Sequence, residues 1–500
     1  MKNVLSLIPT LLASVLLLGC ATGPNQKALN ESNNALRNGD VPTALNILEV
    51  ANKDKKEKDT PYYLDKGEMT KYLGIQSLSE SSSSLLKADY VVQDWQAKAT
   101  LNLAKDTGEF LNYFFASIGS NSTYEPKDYE KSLLSYNLAL NHVLAGRWDL
   151  ATVEAKKMAE RETIINRIHE KSVAALNTKE SENRKNKVQS YTRIDNINGY
   201  PVNLINSPEI SSLKNAYQNA AAHYLAGFIF ERQGEAGMAA PGYRTALELK
   251  PNNSLFELSL GLLDKNIETT RRGGRTNSDV LFIVETGSIP RINSHKSNMT
   301  FNTPQGPKIV TFNLPVIENP SPVYNPGSVS VGSQTIILYQ AANLDAMSRR
   351  QLKDDMPGYL LKASTQAITQ IVAQAVAQQA AAKNNNQNAG LLASLAVGMA
   401  LSVGSADVRQ WSTLPGTIYM GRASVSKGEN NFSIPTPSGV FSVPLQFGQD
   451  YQIVHVRILG GRAIVSTMGG TTPMSNYKIT NRDTKFDLSN SLLMNSYALQ

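Results

Sequence analysis

The sequence predicts an α+β protein: an all-α half of helical repeats, then a β-rich domain with an inserted Ala/Gln/Gly-rich helical hairpin. Three observations carry this. Small and large residues recur at helical-repeat spacing before residue 275, alternating β-branched runs begin after it, and the charged fraction falls from 23% over residues 1–275 to 12% over residues 276–500. At 500 residues and 41% hydrophobic content the chain can bury more than one core. Its net charge of +7 is modest for that length, and no basic stripe with interleaved aromatics occurs, so nucleic acid is not an expected partner.

The clearest repeat is Tyr224-Leu225-Ala226-Gly227, then Phe230, Gly234, Ala239, Tyr243, Ala246 and Pro251. This is tetratricopeptide spacing. Within about 34 residues, small side chains sit where two helices cross, large ones fill the groove between them, and proline closes the second helix. Ala35 to Asp40 with Ala44, Leu48 and Ala51 repeats the pattern more loosely, as does Ala139 with Gly146, Trp148, Ala151, Ala155 and Met158. Three helix pairs are expected across 31–270, with further helices over 61–118, where Leu73, Leu78, Leu85, Trp95, Phe110 and Phe114 recur at mostly helical intervals. Residues 170–215, rich in Lys, Asn, Ser and Glu, form a polar insertion read as a long helix and then a loop, either a binding face or a spacer. A solenoid presents a concave surface, so protein binding is the expected task, with Tyr224, Phe230 and Tyr243 as candidate groove residues. His142 and His223, on helices beside apolar neighbours, are read as structural.

Paired glycines make 271–277 a linker, and a β domain is expected over 278–500. Residues 280–284, 309–314, 335–339 and 417–420 read as strands, and 451–468 as a hairpin turning at Gly460-Gly461. On its first strand, alternation puts His455 and Arg457 on one face and Val454, Val456 and Ile458 on the other, and the polar pair is expected to face solvent. Residues 343–406 differ from their surroundings. The stretch 357–383 is helical by composition, with Gln366, Gln370, Gln374 and Gln378 along one face. A polar turn at 384–388 leads into 389–406, which carries Gly390, Ser394, Gly398 and Ser402 as a small-residue stripe. A close-packed helical hairpin is expected. Internal packing, self-association through 357–406 and membrane insertion all suit its residues.

Reaction chemistry is sparse. No G-x-S-x-G, H-E-x-x-H, P-loop or G-x-G-x-x-G occurs in the chain. Ser84-Leu85-Leu86-Lys87 fits an S-x-x-K spacing, but it lacks companion motifs and lies in a helical, serine-rich run. With five histidines and no clustered carboxylates, no catalytic residue, metal or cofactor is expected.

The amino terminus resembles a bacterial lipoprotein signal: Lys2, an apolar run from Val4 too short to span a bilayer, and Leu17-Leu18-Gly19-Cys20, whose Cys20 is the chain's single cysteine. The resemblance implies removal of 1–19, acylation of Cys20 and a lipidated tether over 20–30. Ala21, where an inner-membrane lipoprotein would commonly carry aspartate, implies sorting to the outer membrane, facing the periplasm. Together with the repeats, Asn343 to Arg350, the hairpin and Asp407-Val408-Arg409-Gln410-Trp411-Ser412-Thr413-Leu414-Pro415, the chain resembles a family of tetratricopeptide-repeat outer-membrane lipoproteins of Gram-negative bacteria. That resemblance implies no established catalysis and a place beside components that activate peptidoglycan synthases. Trp411 is read as an anchor for the hairpin's exit, with Asp407 and Arg409 paired nearby. The expected function is a scaffold or assembly factor that binds another cell-envelope protein. Two alternatives stand beside it: an envelope enzyme or regulator of peptidoglycan or polysaccharide synthesis using a deep pocket at His455, Arg457 or Asp407, and a self-assembling ring or pore.

Overall fold

Helical hairpins closed by one recurring turn open the structure, a computed structural model that describes residues 24–118, 123–272, 275–304, 306–320, 323–383, 401–404, 406–468 and 478–479. The signal segment and Cys20 lie outside the described residues. The first helix, α1 (Pro24–Arg37), is followed by α2 (Val41–Asn52), α3 (Thr60–Lys71), α4 (Leu78–Leu103), α5 (Thr107–Ser117), α6 (Asp128–Leu144), α7 (Trp148–Lys185), the short α8 (Pro208–Ser211), α9 (Ala220–Arg232), α10 (Ala236–Leu249) and α11 (Ser254–Arg271). The pairs α1/α2, α6/α7 and α9/α10 correspond to the expected repeats. Each turns at a left-handed glycine, Gly39, Gly146 or Gly234, with φ of 80°, 75° and 77°. The glycine N–H donates to the carbonyl three residues back, and the next N–H reaches five back: Asp40 to Ala35, Arg147 to His142, Glu235 to Phe230. That pattern satisfies carbonyls a helix end leaves open, at an angle glycine adopts without a Cβ clash.

Residues 24–30, expected as tether, already belong to α1, where Leu29 packs against the core of the first hairpin. The polar insertion is also ordered by contact. Tyr191 and Tyr200 donate hydroxyl hydrogen bonds of 2.8 Å to the backbone carbonyls of Thr300 and Pro315 in the β domain, so the loop clasps that domain.

After α11 come β1 (Asn277–Thr286), β2 (Ile292–Thr303), β3 (Gly306–Ile317), β4 (Ser328–Val331), β5 (Gln334–Ile337), β6 (Tyr339–Asn343), α12 (Leu344–Lys383), β7 (Leu401–Val403), β8 (Thr417–Ser426), β9 (Gly428–Thr436), β10 (Gly439–Phe447), β11 (Tyr451–Leu459), β12 (Arg462–Thr467) and β13 (Lys478–Ile479). They form a central sheet in the order β12-β11-β1-β8-β6, a second sheet β13-β10-β9-β4-β5 and a small sheet β2-β3-β7. In the central sheet β1 runs parallel to β11 and antiparallel to β8.

Both faces of the central sheet are covered. Leu281, Ile283 and Ile453 pack in one cluster with Tyr224, Phe228 and Phe256 of the helices, while Val280, Phe282, Val454 and Val456 pack with Phe432, Ile434, Phe441 and Val443 of the second sheet. The two halves therefore share a core across the linker.

The first arm of the expected hairpin is α12, which starts at Leu344 and packs Leu360, Ala363 and Ala367 with the small sheet. Residues 384–400 lie outside the described set. Beyond them the helical reading fails: 401–403 is β7, paired in parallel with Val310, Thr311 and Phe312. Val403 is buried and Ser402 exposed, the alternation of a strand closing the edge of β3. Among the described residues no helix is long and apolar enough to cross a membrane.

The α9/α10 crossing is held by two glycines. A Cβ on Gly242 would lie 2.8 Å from the Gly227 nitrogen and 2.8 Å from the His223 carbonyl, and one on Gly227 would lie 2.7 Å from the Tyr243 ring. Backbone cannot yield there as a flexible side chain can. Gly242→Ala and Gly227→Leu are each expected to cost about 1–3 kcal/mol or more, read as a lower denaturant midpoint, and an unchanged midpoint in both would reject this crossing.

Candidate functional site

The groove expected to receive a partner is filled by the chain's own β domain. Tyr224, Phe230 and Tyr243, the candidate groove residues, are all buried within the chain and so are not open to a partner. The Tyr224 hydroxyl lies 2.6 Å from Ser259 Oγ, and Tyr243 donates to Glu231 at 2.5 Å. Into the same place β8 sends Arg422. Its guanidinium donates to Glu231 Oε1 at 2.5 Å and to both carboxylate oxygens of Asp279 on β1, at 2.7 and 2.8 Å. The Tyr451 hydroxyl of β11 adds a 3.1 Å bond to Glu231. A planar, permanently charged fork between two carboxylates suits a desolvated site better than a lysine would.

A second polar cluster lies under α3. His455 and Arg457 face the helices from β11 and are buried, a correction to the expected solvent-facing pair. The alternation was right, but β11 is interior, so both its faces are covered. His455 Nε2 lies 3.1 Å from Glu285 Oε2, with its ring parallel to that of Tyr72. Lys71 donates to Asn137 Oδ1 at 2.7 Å and lies 2.9 Å from Glu68. Arg457 donates to the Gly287 carbonyl at 2.7 Å. Burial acts to raise the Glu285 carboxyl, but Lys71, His455 and Arg457 outweigh it and hold that group at about 2. The cluster is buried beneath α3, and its charged groups lie against one another.

The segment around Trp411 joins the halves a third time. Trp411 is fully buried, and its backbone N–H donates to Glu130 Oε1 at 2.7 Å. Asp65 of α3 accepts the Ser412 hydroxyl at 2.9 Å and both the Thr413 N–H and hydroxyl, at 3.1 and 3.0 Å. Arg409 pairs with Asp407 at 2.7 Å and lies over the Tyr124 ring, in keeping with the anchoring role read from the sequence.

Against this segment opens a pocket of about 220 Å³. Its walls come from α1, α2, α3, the start of β2 and residues 408–412, and include Asn30, Asn52, Asp59, Tyr62, Arg291 and Gln410. Asp407 instead borders a cavity of about 20 Å³ with Lys127 and Tyr359. A broader cleft of about 540 Å³ contains Glu162 and His223, whose Nε2 is 2.9 Å from Glu162 Oε2. His142 is elsewhere, and burial together with Arg147 lowers its imidazole to about 4. Among the described residues no group of three or more His, Cys, Asp or Glu could hold a metal ion.

No protein-family model matches the chain, and no curated protein does. Among solved structures it is similar to a tetratricopeptide repeat protein from Parabacteroides merdae ATCC 43184, at 14% identity and a TM-score of 0.14, over 48% of this chain and 98% of that one. A likeness that weak adds nothing to what the three glycine turns establish.

Two measurements test the buried carboxyls. Burial pushes Asp65 up from 3.8 to about 7 against the opposing bonds from Ser412 and Thr413, and burial with Asp128 nearby takes Asp355 to about 7. A folded pKa above the unfolded one means the folded state holds the proton more tightly, so stability falls as pH rises from 4 to 7. Asp65→Asn should flatten part of that fall in a denaturation series; an unaltered slope would contradict the assignment. Glu285 has the opposite sign: its stabilisation is present above 4.5 and is lost as pH drops toward 2. Glu285→Ala, which takes the carboxylate from beside His455 and leaves the buried charges of Lys71 and Arg457 less compensated, should cost about 3–5 kcal/mol, and a loss below 1 kcal/mol would show that the cluster is solvated.

Proposed function

We propose that this chain is a lipid-anchored, periplasm-facing outer-membrane scaffold, whose helical half binds another cell-envelope protein through its outward surface and not through its groove. One observation carries the binding: α4 exposes Leu86, Tyr90 and Leu101 at 46%, 74% and 71% of their surface. At about 100° per residue these three fall within roughly 60° of one another around the helix. An aligned apolar stripe on an exposed helix is what a partner would cover.

The anchor reading rests on Lys2, the apolar run and Leu17 to Cys20. Since α1 begins at Pro24, Cys20 can stand at most roughly 14 Å from it even fully extended. An acylated Cys20 would then hold the folded body beside the leaflet. The arrangement favours a partner that is itself at the membrane. A second copy of the chain competes for the same role, since α12 exposes Val372 and Val376 within 357–406, the segment read as a self-association surface.

Photo-crosslinking residues placed at Tyr90 and Leu101 in cells, with Lys98 as a control off the stripe, should yield one discrete heavier species at the first two positions only. Tyr90→Lys should abolish the Leu101 adduct without changing the melting temperature. An adduct with twice the mass of the chain would replace the partner by self-association, and equal labelling at Lys98 would reject the stripe as a binding surface.

A further inference from the structure

We infer that the pocket between α1, α2, α3 and the Trp411 segment is a binding site for a small neutral polyhydroxylated ring, a single saccharide unit. Nothing in this inference depends on the α4 stripe or on the anchor.

The argument begins with two side-chain amides in its wall. Asn52 and Gln410 are only 6% and 7% exposed. Each donates through its NH2 to a backbone carbonyl, Asn52 to Leu48 at 2.8 Å and Gln410 to Pro290 at 2.9 Å. A carbonyl can only accept, so these bonds fix which way each amide is turned and leave its oxygen as the remaining atom. Asn52 Oδ1 and Gln410 Oε1 are buried without a partner, and so is the Nε of Arg291, another wall residue. Two acceptors and a donor left over in one wall are costly unless something meets them.

The composition narrows what that is. Asp59 and Asp65 contribute negative charge, Lys55 and Arg291 positive charge, and Arg409, also in the wall, is already paired with Asp407, so no strong excess of either sign is left for a charged ligand. A hydroxyl donates and accepts through one oxygen, and can satisfy an amide oxygen and a guanidinium together. Tyr62 and Pro61 supply an apolar surface for the carbon-bound hydrogens of a ring. At about 220 Å³ the space is somewhat larger than the roughly 150 Å³ cavity that takes a benzene ring. That suits one ring and falls below the span of an extended peptide.

The experiment uses the full chain in a sugar-free zwitterionic detergent. Saturation-transfer NMR is recorded against glucose and N-acetylglucosamine, with glycylglycine as the peptide probe, and thermal shifts are measured alongside. Ring-proton transfer and a raised melting temperature with at least one sugar are expected. Gln410→Leu should weaken binding at least tenfold. Because that change also removes the bond to Pro290, Ala51→Phe provides a second variant: it fills the pocket from a partly exposed position without removing any of these hydrogen bonds, and should abolish transfer while the fold is retained. Transfer to glycylglycine alone, no transfer to either sugar, or sugar binding untouched by Ala51→Phe would each overturn the assignment.

Discussion

Two parallel strands, β1 and β11, covered by helices on one face and by a second sheet on the other, impose the constraint on which the remaining architecture depends. A polar side chain on such a strand cannot reach water, so it must meet a partner inside the protein or cost several kcal/mol. Asp279, Glu285, His455 and Arg457 all sit there. Asp279 takes the Arg422 fork and faces Arg275, Glu285 faces His455 and the Lys71 ammonium, and Arg457 donates to Gly287. Because Lys71 and Glu231 belong to the helices, the electrostatics of the sheet are completed only when the helical half is in place. The pairings select one mutual orientation of the halves more than they add stability, since replacing a buried ion pair by well-packed apolar groups is often neutral.

The Trp411 segment follows from the same constraint. It connects β7 to β8 where the helices approach the central sheet, and irregular backbone in such a place exposes N–H groups that no strand ladder will satisfy. Carboxylates on the helices take that load. Glu130 accepts the N–H groups of Trp411 and Lys127, and Asp65 those of Thr413 and two hydroxyls. Using buried carboxylates as acceptors for backbone has a consequence for charge: with few cations at hand, burial raises both groups.

What was legible in the sequence was local. Gly39, Gly146 and Gly234 mark their turns because a left-handed residue at a helix end has one common solution, and the same spacing located three helix pairs. Alternation sorted 454–458 into two faces correctly. What covers each face is non-local: β1 pairs with β11 across more than 170 residues of chain, between Asp279 and Tyr451 at one end. Nothing inside 451–459 separates an edge strand from an interior one, and the solvent-facing reading of His455 failed for that reason. Glu231 and Asp65 left a fainter signal. Each is an acid among residues that helical periodicity buries, and each meets a partner nearly 200 or more positions away. The small-residue stripe of 389–406 misled in its last turn, because Leu401, Ser402 and Val403 satisfy strand alternation as readily as a helix face.

A solenoid whose groove is occupied by its own chain behaves differently from an open one. The β domain is tethered to the helices through 272–277, so its effective concentration in the groove is set by a short connector and exceeds what a free peptide would reach in a cell. An outside segment could enter only by displacing Arg422 from Glu231 and Asp279, leaving desolvated charges without partners, and by exposing Tyr224, Tyr243 and Phe228 together. Binding on the groove side would therefore have to be tighter than an intramolecular contact that comes without loss of translational freedom. Surfaces that are already open carry no such penalty. The α4 stripe and the pocket beside Gln410 belong to this second kind: the stripe lies on a helix surface that the β domain leaves uncovered, and the pocket opens where residues 408–412 meet α1, α2 and α3.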